Sequence, residues 1–327
     1  MTLIDFDEVA ALGATTTEVL LRHSPIDVVP RLRELGWFEI RSEEPKRVDS
    51  IFFDLQGKHL ASTELLDVLV SSALAPDMNP GHAAAALHPL PGAEGRPVRL
   101  RGSEILDIDG LLITRGDIES LWIQIGADRI GRLTAGALEQ LEMTAVEGFD
   151  PTLGWRRLRG SLPVQEVTDV TGAPPGGEQA IADLARRALS FELVGVVREM
   201  VAIAVDHATE RHQFGRPIGS FQAVQHRLAE AKVALEAADQ AAQRSLHSDD
   251  ALVATMAKLL AGEAGRVASR QCQQVLGGMG FTWEHRLHRY VRRALTLDML
   301  YGSSKQLSAL VGRQLRTDKR APILLSL

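Results

Sequence analysis

The sequence is short of cysteine, of aromatic residues and of long uncharged runs, and each shortage removes a class of protein. Its 327 residues include one cysteine, Cys272, so no internal disulfide can form and no cysteine-rich metal site is available. That usage fits a reducing compartment. Cys272 lies in an apolar run of helical character and is expected to be an inert buried thiol. No uncharged stretch approaches the roughly 20 residues that span a bilayer. The opening Met1-Thr2-Leu3-Ile4-Asp5 brings an acid early, with no basic region ahead of an apolar core, so no secretory signal is expected. These features point to a cytoplasmic protein without a membrane partner. The net charge of -6 argues against nucleic acid as the main partner, because phosphate binding needs a basic face. The ten histidines show no metal-ligand spacing, and no metal is expected.

What the chain has in quantity is helix-forming apolar residue. It is 45% hydrophobic and only 5% aromatic, and alanine and leucine dominate its second half, the composition of a helix-rich fold. The length suggests two or three packed units. Three textures follow one another. Residues 1–88 carry short amphipathic stretches such as Val28 to Leu35 and Thr63 to Ala75, in which Leu65, Leu66, Val68, Leu69 and Ala73 recur near helical period. Phe52 to Leu55 reads as a possible extended segment. Residues 89–175 open on a proline- and glycine-rich stretch, Pro89 to Pro97. The β-prone runs Val98 to Leu100, Leu111 to Thr114, Leu121 to Ile125 and Leu162 to Val167 follow, with glycines at turn-like intervals, as in a small antiparallel sheet. Leu133 to Met143 fits a helix equally well. After a linker at Gly172 to Gly177, residues 176–327 read as long helices. The first runs from Gln179 to His212, broken only by Gly195. The second starts after Ser220 as N-cap, and the third after Ser248 with Asp249 and Asp250 in its first turn. Shorter helices follow at Glu284 to Leu300 and Ser304 to Leu315. Long helices with short connections pack as an antiparallel bundle. The expected class is α+β, mostly α.

Two segments carry chemistry. In Glu210-Arg-His-Gln-Phe-Gly-Arg-Pro-Ile-Gly-Ser-Phe-Gln-Ala-Val-Gln-His226, Gly215, Gly219 and Pro217 suit a turn between helices. Arg211, Gln213 and Phe214 bring a bidentate anion donor, an amide and an aromatic face to one helix end, a set able to hold a pyrophosphate and a flat ring. In Gln273-Gln-Val-Leu-Gly-Gly-Met-Gly-Phe281 the glycines follow a helix, not a strand, which excludes a Rossmann turn. They either cap the helix or let its backbone approach a ligand, with Gln274 as the polar contact.

Together these segments resemble the C-terminal domain of the acyl-CoA dehydrogenase family, over residues 178 to 315. There an Arg-x-x-Phe-Gly loop and a Gln-x-Leu-Gly-Gly-x-Gly turn grip the ADP half of FAD on a neighbouring subunit. The resemblance implies FAD contacts from Arg211, Gln213, Phe214, Gln274, Gly277 and Gly278, with Ile218 and Phe221 packing near the adenine. It also implies an acyl-CoA dehydrogenase-like fold with a truncated N-terminal helical domain, a reduced β-domain and a C-terminal four-helix bundle. Leu32-Arg-Glu-Leu-Gly-Trp37 is similar to a common opening of the first. Leu111-Leu-Ile-Thr114 stands where a Trp-Ile-Thr motif usually lines the flavin.

The departures are as informative. The family's base is a glutamate, usually in Tyr-Glu-Gly-Thr, and the aligned stretch here is Leu300-Tyr-Gly-Ser-Ser304, with Tyr301 at the base position. A phenol of ordinary pKa near roughly 10 is a poor base. Relatives that place the glutamate on the first bundle helix have it just before an arginine, where this chain has Ala185-Arg186. Glu192 lies nearby, about two turns further along. The ring-holding Thr-Glu-Pro-x-Ala-Gly-Ser stretch is missing, with Pro89 to Gly95 a faint echo. The basic run His285-Arg-Leu-His-Arg-Tyr-Val-Arg-Arg293 reads as a solvated or subunit-contact face. The resemblance therefore implies the second chain of a heterotetramer, like those of actinobacterial steroid and cholesterol breakdown. Its partner would be an acyl-CoA dehydrogenase-type subunit with the glutamate, and its substrate an acyl-CoA. The alternatives are a homomeric enzyme using Glu192 or Tyr301, and a structural scaffold without flavin.

Overall fold

The computed structural model describes residues 6–74, 84–93, 95–125, 129–172 and 177–318, and the linker expected at 172–177 lies mostly outside them. Five helices come first: α1 (Phe6–Arg22), α2 (Val28–Glu34), α3 (Trp37–Glu43), α4 (Pro45–His59) and α5 (Leu65–Leu74). A β region follows, with β1 (Ala84–Ala86), β2 (Val98–Arg101), β3 (Ile105–Leu112), β4 (Ser120–Ile125), β5 (Arg129–Thr134), α6 (Ala135–Leu138), β6 (Glu142–Ala145), β7 (Arg156–Pro163) and β8 (Val167–Gly172). Long helices complete the described chain: α7 (Gly177–Glu210), the two-residue strands β9 (His212–Gln213) and β10 (Arg216–Pro217), α8 (Gln222–Leu246), α9 (Ala251–Leu276), α10 (Leu287–Asp298) and α11 (Ser304–Asp318). No described helix is long and apolar enough to cross a membrane.

The chain divides into two compact units. One comprises Met1–Arg22, Gly36–Ala61 and Arg186–Leu327, the other His23–Leu35 and Ser62–Ala185. The second unit is built on two four-stranded sheets, ordered β1-β4-β5-β8 and β2-β3-β7-β6. Leu106, Ile108, Leu121, Ile123, Leu133 and Leu158, drawn from both, form one buried core. The strand alternation that buries one face leaves the other to charge: Ile108 is buried in β3 between the half-buried Asp107 and Asp109. A single antiparallel sheet was expected, and the structure corrects this. There are two sheets, and β1 runs parallel to β4. The Leu162 to Val167 run splits between β7 and β8 around a short 3-10 turn, Val164–Glu166. Leu133 to Met143 is no helix but a strand end, one helical turn and the start of β6.

In the first unit α4 and α7 cross at two glycines. A Cβ at Gly57 would lie 2.0 Å from the Glu192 carbonyl oxygen, and one at Gly195 2.0 Å from that of Asp54. The backbones can touch there because neither residue has a side chain. Phe52 to Leu55, read as extended, is helical. Val48, Phe52, Phe53 and Gln56 lie on one buried stripe of α4, a pattern that a four-residue window conceals. Two helix starts also shift. Phe221, not Ser220, is the N-cap of α8, because the Ser220 hydroxyl donates to the Pro217 carbonyl at 2.7 Å. Asp250 caps α9, accepting from Leu252 N–H at 2.8 Å, while Asp249 pairs with Lys46.

Candidate functional site

The connection leaving α7 is a tight hairpin. Arg216 pairs with Gln213 and Pro217 with His212, leaving Phe214 and Gly215 as a two-residue turn with φ of 54° and 80°. Both signs positive is the primed-turn geometry that matches strand twist. Glycine takes it freely, whereas for Phe214 it is strained by about 1–3 kcal/mol. The hairpin is closed by Ile218 N–H on the Arg211 carbonyl at 2.8 Å. Its tip pushes Phe214 into solvent, 92% exposed, against Phe221 at 6.0 Å between centroids. The Arg216 guanidinium stacks on the other ring, 4.2 Å from the Phe221 centroid. Arg211 and Gln213 are exposed, and Ile218 and Phe221 are half-buried.

The glycine turn ends α9. Gly277 caps it with φ 59° and ψ -136°, a conformation that a β-carbon resists. Gly278 has no such backbone requirement, and among the described residues beyond its chain neighbours no atom lies within 4 Å of where its Cβ would be. Gln274 and Gly278 are exposed. The antiparallel packing of α8 on α9 brings this turn and the hairpin to the same end of the bundle. Arg227, early in α8, donates to Gln271, late in α9, at 2.9 Å, and Gln271 donates to Glu230 at 2.7 Å.

All eight sequence-derived contact residues therefore share one end of a helix pair. Three neighbours were missed: Met279, Phe281 and Trp283 are also exposed, the last two by 71% and 75%. The signal was present as an aromatic pair immediately after a glycine turn. His207, on the last turn of α7, is kept below the ordinary histidine pKa by burial and then by Arg211.

The base position is a different environment. Tyr301 adopts φ 55°, and its carbonyl accepts from Arg186 Nε at 3.2 Å. The fully buried Lys258 donates to the carbonyls of Asp298 at 3.0 Å and Gly302 at 3.4 Å. Ser303 and Gln306 form a capping box at the start of α11, with Ser303 N–H on Gln306 Oε1 at 2.9 Å and Gln306 N–H on Ser303 Oγ at 3.3 Å. The acid of this loop, Asp298, is committed to the Ser304 amide and hydroxyl. Ala185 is buried. Glu192 is buried against Arg293 at 3.5 Å, and Arg293 also donates to the Ala61 and Leu60 carbonyls.

That pair corrects the reading of the basic run as a solvated face. Arg293 is fully buried, since a helix turns some residues of any run inward, and Glu192 with two carbonyls compensates its charge. Tyr290 is buried too and donates to the Lys58 carbonyl at 2.9 Å. Only part of the run is outward: Arg286 pairs with Glu199, and Arg292 stacks over Trp283. Thr114 is likewise occupied, its hydroxyl donating to Glu64 at 2.7 Å. Cys272 is the inert thiol expected, buried and pushed up to about 12 by desolvation. Among the described residues no group of three or more His, Cys, Asp or Glu side chains could hold a metal.

Residues 179–316 match the family described as acyl-CoA dehydrogenase, C-terminal domain. The helical region from α7 to α11 is therefore an acyl-CoA dehydrogenase C-terminal domain. Acyl-CoA dehydrogenase IpdE2 of Mycobacterium tuberculosis is 33% identical over 235 residues, which are 72% of this chain and 65% of that protein. The chain thus spans less than two thirds of that relative's length. Its fold is shared with the Tcur3481-Tcur3483 steroid ACAD (TM-score 0.75, 19% identity, 96% of this chain and 99% of that one). It is shared also with the ChsE4-ChsE5 complex from Mycobacterium tuberculosis (TM-score 0.72, 19% identity, 98% and 100%). The cofactor of the family is FAD. The end of the α8–α9 pair fits the ADP half of that molecule: an exposed arginine for pyrophosphate, an exposed phenylalanine for a flat ring, and a glycine left open to close approach.

Proposed function

We propose that this acyl-CoA dehydrogenase-type chain is one subunit of a flavin-dependent enzyme that desaturates an acyl-CoA thioester between its α and β carbons. In this reading Arg211, Gln213, Phe214, Gln274 and Gly278 hold the ADP side of an FAD whose ring lies in a partner subunit, and that partner supplies the glutamate base. One conjunction carries the reading: the FAD-type contact residues are exposed together at one end of the bundle, while the base position holds Tyr301 in a loop with no uncommitted carboxylate. Bound FAD supplies the hydride acceptor. This chain's residues bind and orient it. A bulky, steroid-like acyl group and a heterotetramer are the favoured substrate and assembly, supported by the steroid ACAD and the two-chain complex whose fold this chain shares. A homomeric enzyme with Glu192 as base is disfavoured by the Arg293 pairing, which ties that carboxylate to a buried cation.

The test is Arg211→Ala in the complex co-purified with an acyl-CoA dehydrogenase-type partner. Losing a charge-assisted phosphate contact of about 1.5–3 kcal/mol should weaken flavin retention by about tenfold or more, seen as flavin lost on gel filtration with the subunits still together. Full flavin retention would contradict the cross-subunit contact.

A further inference from the structure

The outer face of the β2-β3-β7-β6 sheet carries a concavity of about 400 Å³, within the range of roughly 300–1,000 Å³ usual for small-ligand sites. Leu90, Ala93, Gly95 and Pro97 line it, and Arg96, Arg99 and Arg159 reach it. Register places these groups. Arg99 on β2 faces Asp107 on β3, and Arg159 on β7 faces Asp109. The two arginines therefore flank β3, about 12 Å apart across two strand spacings and a two-residue offset along the strand, and long side chains can bring both guanidiniums to one polyanion.

A plain charged ladder would pair each arginine with its opposite aspartate. Here it does not. Asp109 is held by Arg157 through two bonds of 2.7 Å. Asp107 is held by Arg101 through two bonds of 3.0 Å and by the Ser161 hydroxyl at 2.6 Å. Those bonds keep both carboxyls below their usual range and charged. Arg99 and Arg159 are left without a hydrogen-bond or ion-pair partner among the described residues, and Arg96 has only the exposed Glu178. The backbone is shaped around one of them. A Cβ at Gly95, whose φ is 128°, would sit 3.1 Å from Arg99 Nη2, so glycine there leaves the guanidinium its room.

We propose that this groove is a second anion site, in which Arg99 and Arg159, with Arg96 at the rim, bind the phosphate or pyrophosphate group of a small molecule. Paired guanidiniums suit such a group because each can donate two parallel N–H bonds to it. The aspartates' hydrogen bonds go to Arg101, Ser161 and Arg157, which leaves the N–H groups of Arg99 and Arg159 open to an incoming anion, although Asp109 still attracts both arginines. The proposal is independent of the flavin contacts, which lie on other elements.

The test is calorimetric titration of the full chain with sodium pyrophosphate, at matched ionic strength because exposed charges are screened by salt. Saturable binding is expected. It should weaken about tenfold or more in Arg99→Gln/Arg159→Gln built on Arg211→Ala, a background that removes the hairpin's own anion donor and so separates this groove from it. Both groove arginines are exposed and unpaired, so the double variant should keep the parent melting temperature, checked in parallel. Arg99→Lys/Arg159→Lys keeps the charge and loses the fork, and should bind at intermediate strength. Absence of saturable binding in the Arg211→Ala background, or equal binding by the glutamine variant built on it, would overturn the proposal.

Discussion

Among the described residues, Lys258 and Arg293 are the lysine and arginine buried completely, and they differ in how they are compensated. Arg293 has Glu192 and two carbonyls. Lys258 has carbonyls alone at bonding distance, with the Asp298 carboxylate 4.0 Å away. Burial accordingly lowers Lys258 to about 8, Asp298 opposing and Arg186 reinforcing the fall. Between about 8 and the ordinary 10.5 the unfolded chain binds this proton and the folded chain does not, so stability rises with pH across that window. Below about 8 both forms are protonated and the cost of burying the ammonium is felt in full. Cys272, raised by burial, acts in the opposite direction above its ordinary 9.0, so the informative quantity is a difference between proteins. The stability of the parent minus that of Lys258→Met, from urea unfolding, should rise between pH 8 and 10.5 by up to about 3 kcal/mol. A flat difference would mean that the ammonium is solvated. The residues proposed to face the flavin stand in two motifs that display them. Lys258 was not legible, although a lone lysine inside Ala254-Thr-Met-Ala-Lys-Leu-Leu-Ala261 was its signal. Arg293 was hidden among neighbours of the same charge, where sequence cannot say which one turns inward.

Helices were the most legible elements, and strands the least. Long apolar periodicity in α7, α8 and α9 survives small errors in reading, and their ends shift by only a residue or two. The β region depends on partners distant in sequence. Nothing local says that β1 lies parallel to β4 or that a second sheet exists. Gly195 was visible as the one breaker in a long helix, but not its purpose. It is the contact point of α7 with α4, and Gly195→Ala would place a methyl 2.0 Å from a backbone oxygen. Two backbones cannot give way as a side chain can, so the loss of stability should reach about 3 kcal/mol or more. Gly312→Ala in α11, with open space at its Cβ, should be neutral or stabilising by up to about 1 kcal/mol. Chemical denaturation of both variants checks the pair, and equal effects would place the close crossing in doubt.

At the scale of the whole molecule, the exposed Phe214, Phe281 and Trp283 ask for a cover that one chain does not give them. Large apolar side chains grouped at one end, beside an exposed arginine and an open glycine, mark a surface meant for another molecule. Two spaced motifs pointed to that end in the sequence, and position in the resemblance put Tyr301 where an acid was expected. The structure added that Tyr301 lies in a loop fixed by Arg186, Lys258 and a capping box, and that the nearest glutamate on α7 is occupied. The flavin content of the chain expressed alone, set against that of its complex with an acyl-CoA dehydrogenase-type partner, tests the proposed division of labour most directly. Colourless, inactive single chain and a yellow complex that oxidises acyl-CoA are the expected results. Yellow, active single chain, or a complex that co-purifies without flavin, would contradict it.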